Sequence, residues 1–476
     1  MNAAERPQTA LLEMLKIALP TVATMTSYTA MQFVDKWMVS KISPDPIWVG
    51  AQGNGGLIAW IPISIIFGSL FVINTFVSQN LGAGKPERAP AYAWNGLWIC
   101  VAAWLVLIPA SFAIPYIFDF IRDESMSPEQ LAISIRRDGL ATGYAQILLW
   151  GSVVTMATRS IGQFFYGLHK PMVVLTAGVI GNLVNFFFNY CLVFGNFGFP
   201  RMELEGSAIA TVIGTVVELS IPLGVFVFAM NKQYQTRRQW KPSLTHLKEI
   251  LKIGWASGAM FGNEMVCWGF FMVYLVGHFG PDHSTAGWIA HQWMSLSFMP
   301  AVGISMAVTA AVGKQMGAGN IPEAARRAKL GLTLALGYMC TMGVLFVIFR
   351  EPMVRLFLEK DTPPEKIDFL ISTGGKFLIA CAAFQTFDAI AMTLGGALRG
   401  AGDTVWLGVA TVVLSWSIIV GGGFAIVHLA PGLQSVGPWI AAATYIFALS
   451  MATLLRFLGG KWKLIKLIDS APAAAH

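Results

Sequence analysis

Long apolar runs separated by short polar breaks recur along the whole chain, and that rhythm predicts its elements before any single residue is weighed. A membrane-crossing helix needs about 20 mostly apolar residues. Twelve runs meet this length: 12–39, 47–76, 92–118, 140–166, 172–195, 206–230, 250–277, 285–312, 327–349, 369–398, 404–428 and 436–457. Several are long, which implies tilt or protrusion beyond the hydrocarbon. The expected fold is all-α and integral to the membrane. Pro20, Pro62 and Pro300 fall inside runs, where a missing N–H and a ring clash would bend a helix.

Composition strengthens this reading. The 476 residues are 55% hydrophobic and 12% charged, with a mean hydropathy of +0.62; soluble domains carry about 25% charged residues. The net charge of +7 is not a nucleic-acid signal, because the Lys and Arg residues fall in loops. The five cysteines (Cys100, Cys191, Cys267, Cys340, Cys381) are scattered through apolar runs without CxxC spacing and read as small core residues. No HExxH and no P-loop occur, and the pieces Gly53-Asn54-Gly55 and Gly82-Ala83-Gly84 follow no strand. An enzyme, ATP-driven transport and a bound cofactor are therefore not expected. The N-terminal stretch lacks a cleavable signal pattern.

Loop charges suggest orientation. With twelve spans, both termini share a side, and that side holds 21 of the 32 Lys and Arg. Outside the spans, 7 acids lie on it and 14 opposite. By the positive-inside rule both termini should be cytoplasmic, in a plasma (inner) membrane protein.

The halves repeat. VSQNLGAGKPERA (77–89) aligns with VGKQMGAGNIPEAA (312–325) at an offset of 235 residues, and the pairs Gly68/Gly303 and Gly96/Gly331 keep that offset. FYGLHKPMVV (165–174) aligns with LRGAGDTVWL (398–407) at an offset of 233. This predicts a six-span N-lobe (1–230), a basic linker (231–250) and a six-span C-lobe with a short tail (251–476). The second part of 231–252 could form an amphipathic helix on the membrane surface. Parallel repeats of this kind suit a transporter in which one half rocks against the other.

Chemistry concentrates in a few intramembrane polar residues. A carboxylate deep in a span costs several kcal/mol, ~3 on insertion scales, and usually acts on an ion or substrate. Glu264 lies 12 residues after Lys252 and Asp388 lies 11 before Arg399, so each sits roughly 15–18 Å from the cytoplasmic end. If they share a cavity, they would titrate as a pair and hold one proton or one Na⁺. The alternative is that each acid is merely hydrogen-bonded to neighbours such as Asn263, Gln385 or Thr386. Asp35 is confined to the first half. Asn182, Asn185 and Asn189 share a helix face at i, i+3, i+7 and could bind Asp35 across helices or simply pack helices. Lys36, next to Asp35, could snorkel outward or neutralise it. Glu218 is mid-span without an obvious partner. Gly254, Gly258 and Gly262 form GxxxGxxxG, a face for close helix approach.

Taken in order, these segments resemble the multidrug and toxic compound extrusion (MATE) transporters, NorM-like branch. The resemblance rests on the two GAG loops, VDKWMVS around Asp35, GNLVNFFFNYCLVFG around Asn185 and Asn189, FGNEM around Glu264, Ala290–Gln292, and FDAIAMTLGGALRGAGDT from Phe387. It implies two six-helix lobes forming a V-shaped cleft, and exchange of inward H⁺ or Na⁺ for outward drug-like organic cations. By the same resemblance, Glu264 and Asp388 match the C-lobe cation acids, with Na⁺ as a possible ligand. Asp35, Asn185 and Asn189 match the N-lobe polar cluster, and Gln292 matches a glutamine of the eighth span. Phe384 stands where some Na⁺-using members carry a tyrosine, which removes one hydroxyl ligand. Asn182, Gln292 and Phe384 join Asn185 and Asn189 as candidate cavity-lining positions. The expected partners are small-molecule drugs and the bilayer, with the protein a monomer. A flippase for lipid-linked sugars is the runner-up, disfavoured because Arg159 and Arg399 fall at span ends rather than mid-span. A membrane enzyme or channel is a third reading.

Overall fold

A computed structural model describes residues 7–43, 45, 47–122, 127–358 and 363–468. Eight of the charges used for orientation (Glu5, Arg6, Asp123, Glu124, Glu359, Lys360, Asp361, Asp469) lie outside the described residues. The described chain is helical, and its long helices follow the predicted runs. They are α1 (Pro7–Val39), α2 (Ile47–Gly82), α3 (Pro86–Ser111), α4 (Pro128–Trp150 continued by Ser152–Gly167), α5 (Pro171–Phe194) and α6 (Glu203–Ala229). The second half supplies α7 (Leu244–Phe279), α8 (Pro281–Gly317), α9 (Ile321–Arg355), α10 (Pro364–Ala401), α11 (Thr404–Leu429) and α12 (Val436–Leu458). By length and composition, ten of these can cross a membrane among the described residues, and the α4 pair makes an eleventh. The twelfth, α1, is 33 residues long but diluted by Glu13, Lys16, Asp35, Lys36 and a run of Thr and Ser. It is long enough to cross and too polar to be recognised by hydropathy alone.

The helices α1, α2 and α8 run on through Pro20, Pro62 and Pro300, and a 49° bend falls at Gly151 in α4. One detail differs from expectation: the basic linker does not end in a separate surface helix. Leu244 begins a helix that runs unbroken to Phe270, because no Gly or Pro interrupts 244–252 and the first turns are packed. Tyr92 donates to Glu249 (2.9 Å), its ring meets His246 edge-on, and Asn95 accepts the backbone N–H of Ser243 (2.8 Å).

Packing groups the described residues into two units. The first comprises the described residues of Thr26–Val77 and Lys85–Gly258; the second comprises the described residues up to Met25, Ser78–Gly84 and those from Ala259 onward. In the second, Val308, Ala335, Leu394 and Trp462 belong to one apolar cluster, and Phe271, Phe346, Phe377 and Trp439 to another. At one end of that unit Arg327, almost fully buried, bonds Glu13 (2.9 Å) and Glu323 (2.8 Å), and Lys314 reaches Glu13 (2.8 Å).

The internal repeat is carried into packing. In the first unit, a Cβ on Gly96 would meet Ile73 and Ser160, and one on Gly167 would meet the carbonyl of Asn74. In the second, Gly331 faces Val308 and Thr393, and Gly400 faces the carbonyl of Thr309. Each of these residues is the equivalent of its counterpart at the offsets of 235 or 233. The loop conformation repeats as well: Gly84 and Gly319 have φ of +70° and +72°, and His169 takes φ +59° where Gly402 has +97°. Such angles favour glycine, and histidine is among the residues that tolerate them. In the second unit the two GAG segments cross: Gly82 would place a Cβ against the Lys314 carbonyl, and Gly317 against that of Gln79. Lys314 is the repeat equivalent of Gln79, so the crossing is reciprocal. Gly254 and Gly258 bring α7 against the backbone of α2 at Ser69 and Ile65, as the small-residue spacing predicts.

Candidate functional site

In the second unit α7 presents Glu264, α10 presents Asp388 and Arg399, and α12 presents Tyr445. Glu264 interacts electrostatically with Asp388 and Arg399, and Tyr445 lies within the field of both acids. Both carboxylates are half-buried, and among the described residues neither receives a hydrogen bond. The Tyr445 hydroxyl is buried without a hydrogen-bond partner. Unpaired buried polar groups are rare in native structures and call for a reason such as an absent water or ion.

The three neighbours that could have satisfied these acids are engaged elsewhere. Asn263 donates to Ser415 (2.8 Å) and accepts from Trp416 (2.6 Å). Gln385 donates to Ser297 (3.0 Å), and Thr386 pairs with Cys340 (3.4 Å). The helices around the acids also depart from α geometry, with π-helical turns at Phe271–Val276 in α7 and Ser415–Gly422 in α11. Such turns are frequent at functional sites.

Of the other predicted positions in this unit, Gln292 is exposed. Phe384 is 1% exposed and belongs to the apolar cluster that holds Phe377, Cys381 and Trp439. A ring without a hydroxyl gains by joining the apolar core. Arg399 does start from a helix end, but its side chain turns inward, donating to Ser305 (2.9 Å). Tyr445 was missed at the sequence level. A tyrosine in the middle of an apolar span was the available signal, but the helix face it occupies was not.

In the first unit Asp35 is buried, and Asn189 donates both amide hydrogens, to Asp35 (2.9 Å) and to Asn185 (3.1 Å). Asn185 donates in turn to Thr211 (3.3 Å). Tyr144 interacts electrostatically with Asp35. Asn182 shares the helix face yet bonds the Ser27 carbonyl instead (3.0 Å). Lys36 is exposed while its neighbour Asp35 is buried, as outward snorkelling would require.

Glu218 has the partners its own span lacks. The Tyr28 hydroxyl donates to it, and the Arg159 guanidinium lies 3.8 Å over the Tyr28 ring and interacts electrostatically with Glu218. Arg159 is thus eight residues inside the second arm of α4, not at a span end. Each arginine considered for a flippase site faces an acid of its own unit. Among the described residues, no group of three or more His, Cys, Asp and Glu gathers as a metal site would need.

A duplicated scaffold of membrane-length helices, with two carboxylates that receive no hydrogen bond among the described residues, is that of a polytopic membrane protein. The MatE family model matches residues 20–191 and 261–422, more than half of the chain. The chain belongs to that family, the MATE multidrug efflux transporters. It is 27% identical over 460 residues to a probable multidrug resistance protein NorM of Thermotoga maritima, covering 95% of this chain and 93% of that protein. It is 28% identical over 430 residues to the multidrug resistance protein PmpM of Pseudomonas aeruginosa, covering 87% and 83%. Among solved structures, MATE in complex with MaL6 aligns with a TM-score of 0.83 at 19% identity, covering 96% of this chain and 98% of that one. The outward-facing conformation of a multidrug resistance MATE family transporter aligns at 0.82 and 19%, covering 96% and 97%. These structural likenesses establish the shared all-helical fold.

Proposed function

We propose that this protein is a secondary antiporter that exports drug-like organic cations in exchange for H⁺ or Na⁺ by alternating access, as a monomer with both termini cytoplasmic. The observation that carries the reading is the Glu264–Asp388–Arg399 group. Two carboxylates and one guanidinium leave one net negative charge when all are ionised. One monovalent cation neutralises it, and in a low-dielectric span that neutralisation is worth several kcal/mol. A proton on either acid or a Na⁺ between them serves equally, with the free Tyr445 hydroxyl as an additional oxygen. The same arithmetic gives an organic cation a reason to compete for the site. Each ligand then biases the transport cycle only as far as its affinity differs between the two states. The Asp35–Asn189–Asn185–Thr211 chain in the first unit is a second carboxylate of this kind, already supplied with a donor. It is the candidate for proton binding where the second unit takes the other ion. The pairing of Arg159 and Arg399 with acids supports cationic cargo over a pyrophosphate.

The test is efflux of a fluorescent organic cation from loaded vesicles, driven separately by a pH gradient and by a Na⁺ gradient. Wild type is compared with Asp388→Asn and Asp35→Asn. Efflux under one gradient that is lost in Asp388→Asn assigns coupling to the second unit. Loss in Asp35→Asn alone assigns it to the first. Undiminished efflux in both variants, and in the triple variant with Glu264→Gln, refutes the mechanism.

A further inference from the structure

The C-terminal end of α9 and the N-terminal part of α10 line an open cavity of about 390 Å³. Its lining includes Arg350, Arg355 and Lys376, with Glu351 and Asp368 as the only carboxylates among the described residues there. The site is built rather than incidental. Pro352 cannot donate the helical hydrogen bond to residue 348, and at Phe349 the α9 backbone leaves helical geometry (φ −102°, ψ 15°). The distortion sits next to Arg350. Its side chain then lies along α10 at Gly375, where a Cβ would stand 3.5 Å from the arginine Cδ. Arg350 donates to the Val347 carbonyl (2.7 Å) and comes only within 3.9 Å of Glu351. Arg355 and Lys376 have no ion-pair partner among the described residues. Among the described residues of the lining, three cations stand against two carboxylates.

Depth and surroundings name the ligand. Arg350 lies 12 residues beyond the middle of α9, roughly 18 Å along the axis, while half of the hydrocarbon core is about 15 Å. Placing the middle of α9 at the bilayer midplane puts the cavity at headgroup level, with Lys376 on α10 nearer the centre and able to snorkel towards it. The neighbouring Val347, Ile348 and Ile379 are exposed and apolar, as contact with acyl chains requires. A soluble anion would use the cations and leave that apolar flank without purpose. From these observations we infer that the cavity binds the phosphodiester headgroup of a membrane phospholipid. Arg350, Arg355 and Lys376 hold the phosphate, and Glu351 and Asp368 face any headgroup amine.

The experiment is native mass spectrometry of the full chain purified in detergent. Phosphatidylglycerol or phosphatidylethanolamine is added in one arm and inorganic phosphate in the other. Wild type should retain one phospholipid and ignore inorganic phosphate. Arg355→Ala/Lys376→Ala, at two exposed positions, should melt as wild type does and retain at least fivefold less lipid. Arg355→Lys/Lys376→Arg should restore retention, and Lys366→Ala, whose partner is Asp282, should not change it. Equal retention by the alanine double variant overturns the inference, as does an equal loss in Lys366→Ala. Displacement of the lipid by inorganic phosphate at matched concentration would identify a soluble-anion site and overturn it as well. No transport is measured, so failure here leaves the antiport reading untouched.

Discussion

Replacing Gly82 with alanine would place a methyl carbon 1.7 Å from the carbonyl oxygen of Lys314, where ordinary contact begins at 3.4 Å. The crossing of the two GAG segments would have to widen by about 1.7 Å on that side. The obstruction is helix backbone, not the end of a flexible side chain, so relaxation is poor. Overpacking of this kind costs ~1–3 kcal/mol, and a rigid backbone obstacle belongs at the upper end. Alanine returns ~1 kcal/mol through helix propensity, leaving a net loss near 2 kcal/mol. The loss grows if widening breaks the buried bond from Gln79 to the Gly400 carbonyl (2.9 Å), which is worth ~1–3 kcal/mol when one partner is left bare. Gly317→Ala is the reciprocal perturbation, at 1.9 Å from the Gln79 carbonyl. Gly53→Ala is the control, a helical glycine with nothing within 4 Å of its Cβ. Apparent melting temperatures of detergent-purified protein measure the difference. At ~2 °C per kcal/mol for a large chain, Gly82→Ala and Gly317→Ala should each melt ~4 °C or more below wild type. Gly53→Ala should match or exceed it. The double variant should lose less than the sum, because the first methyl opens the crossing for the second. Melting of both crossing variants alongside Gly53→Ala would refute the reciprocal crossing.

Other expectations follow from the buried polar groups. Arg159→Met removes the cation facing Glu218 and should cost ~3–5 kcal/mol, as for other broken buried pairs; Arg159→Met/Glu218→Met should recover most of it, and an additive double-variant cycle would show that the pair is not coupled. Asn189→Ala strips Asp35 of its donor and should cost ~1–3 kcal/mol, measured as a loss of thermal stability that Asn185→Ala reproduces only in part. Tyr445→Phe removes a hydroxyl without a partner, so stability should stay within ~0.5 kcal/mol. If that oxygen serves a cation, the same variant should still weaken Na⁺-driven efflux.

Much of the architecture was legible one dimension at a time. The length and apolarity of the runs set the helices, because in hydrocarbon every backbone polar group must be satisfied within its own segment. The offset of 235 residues was visible in VSQNLGAG and VGKQMGAG, and it foretold matched glycine contacts at Gly96 and Gly331. The positions of Glu264 and Asp388 near the middle of their helices followed from counting residues at a fixed rise per residue. The shared face of Asn185 and Asn189 followed from helical periodicity.

What counting along the chain does not contain is which helices meet and how a side chain is rotated once they do. Periodicity assigned Asn182 to the same face as Asn189, yet its position two turns away gave it the Ser27 carbonyl instead of Asp35. Glu218 looked partnerless because Tyr28 and Arg159 are distant in sequence and adjacent only after folding. Arg399 ends a helix by sequence, but a long flexible side chain brought its charge back towards Glu264. Phe384 lay one turn from Asp388 and was drawn into the apolar cluster, since a ring with no hydroxyl gains more by burial than by facing a polar site. Local sequence determined secondary structure, repeat and depth, because these depend on the chain's own backbone and its solvent. Tertiary packing alone decided the pairing of charges, because that energy depends on distances between segments.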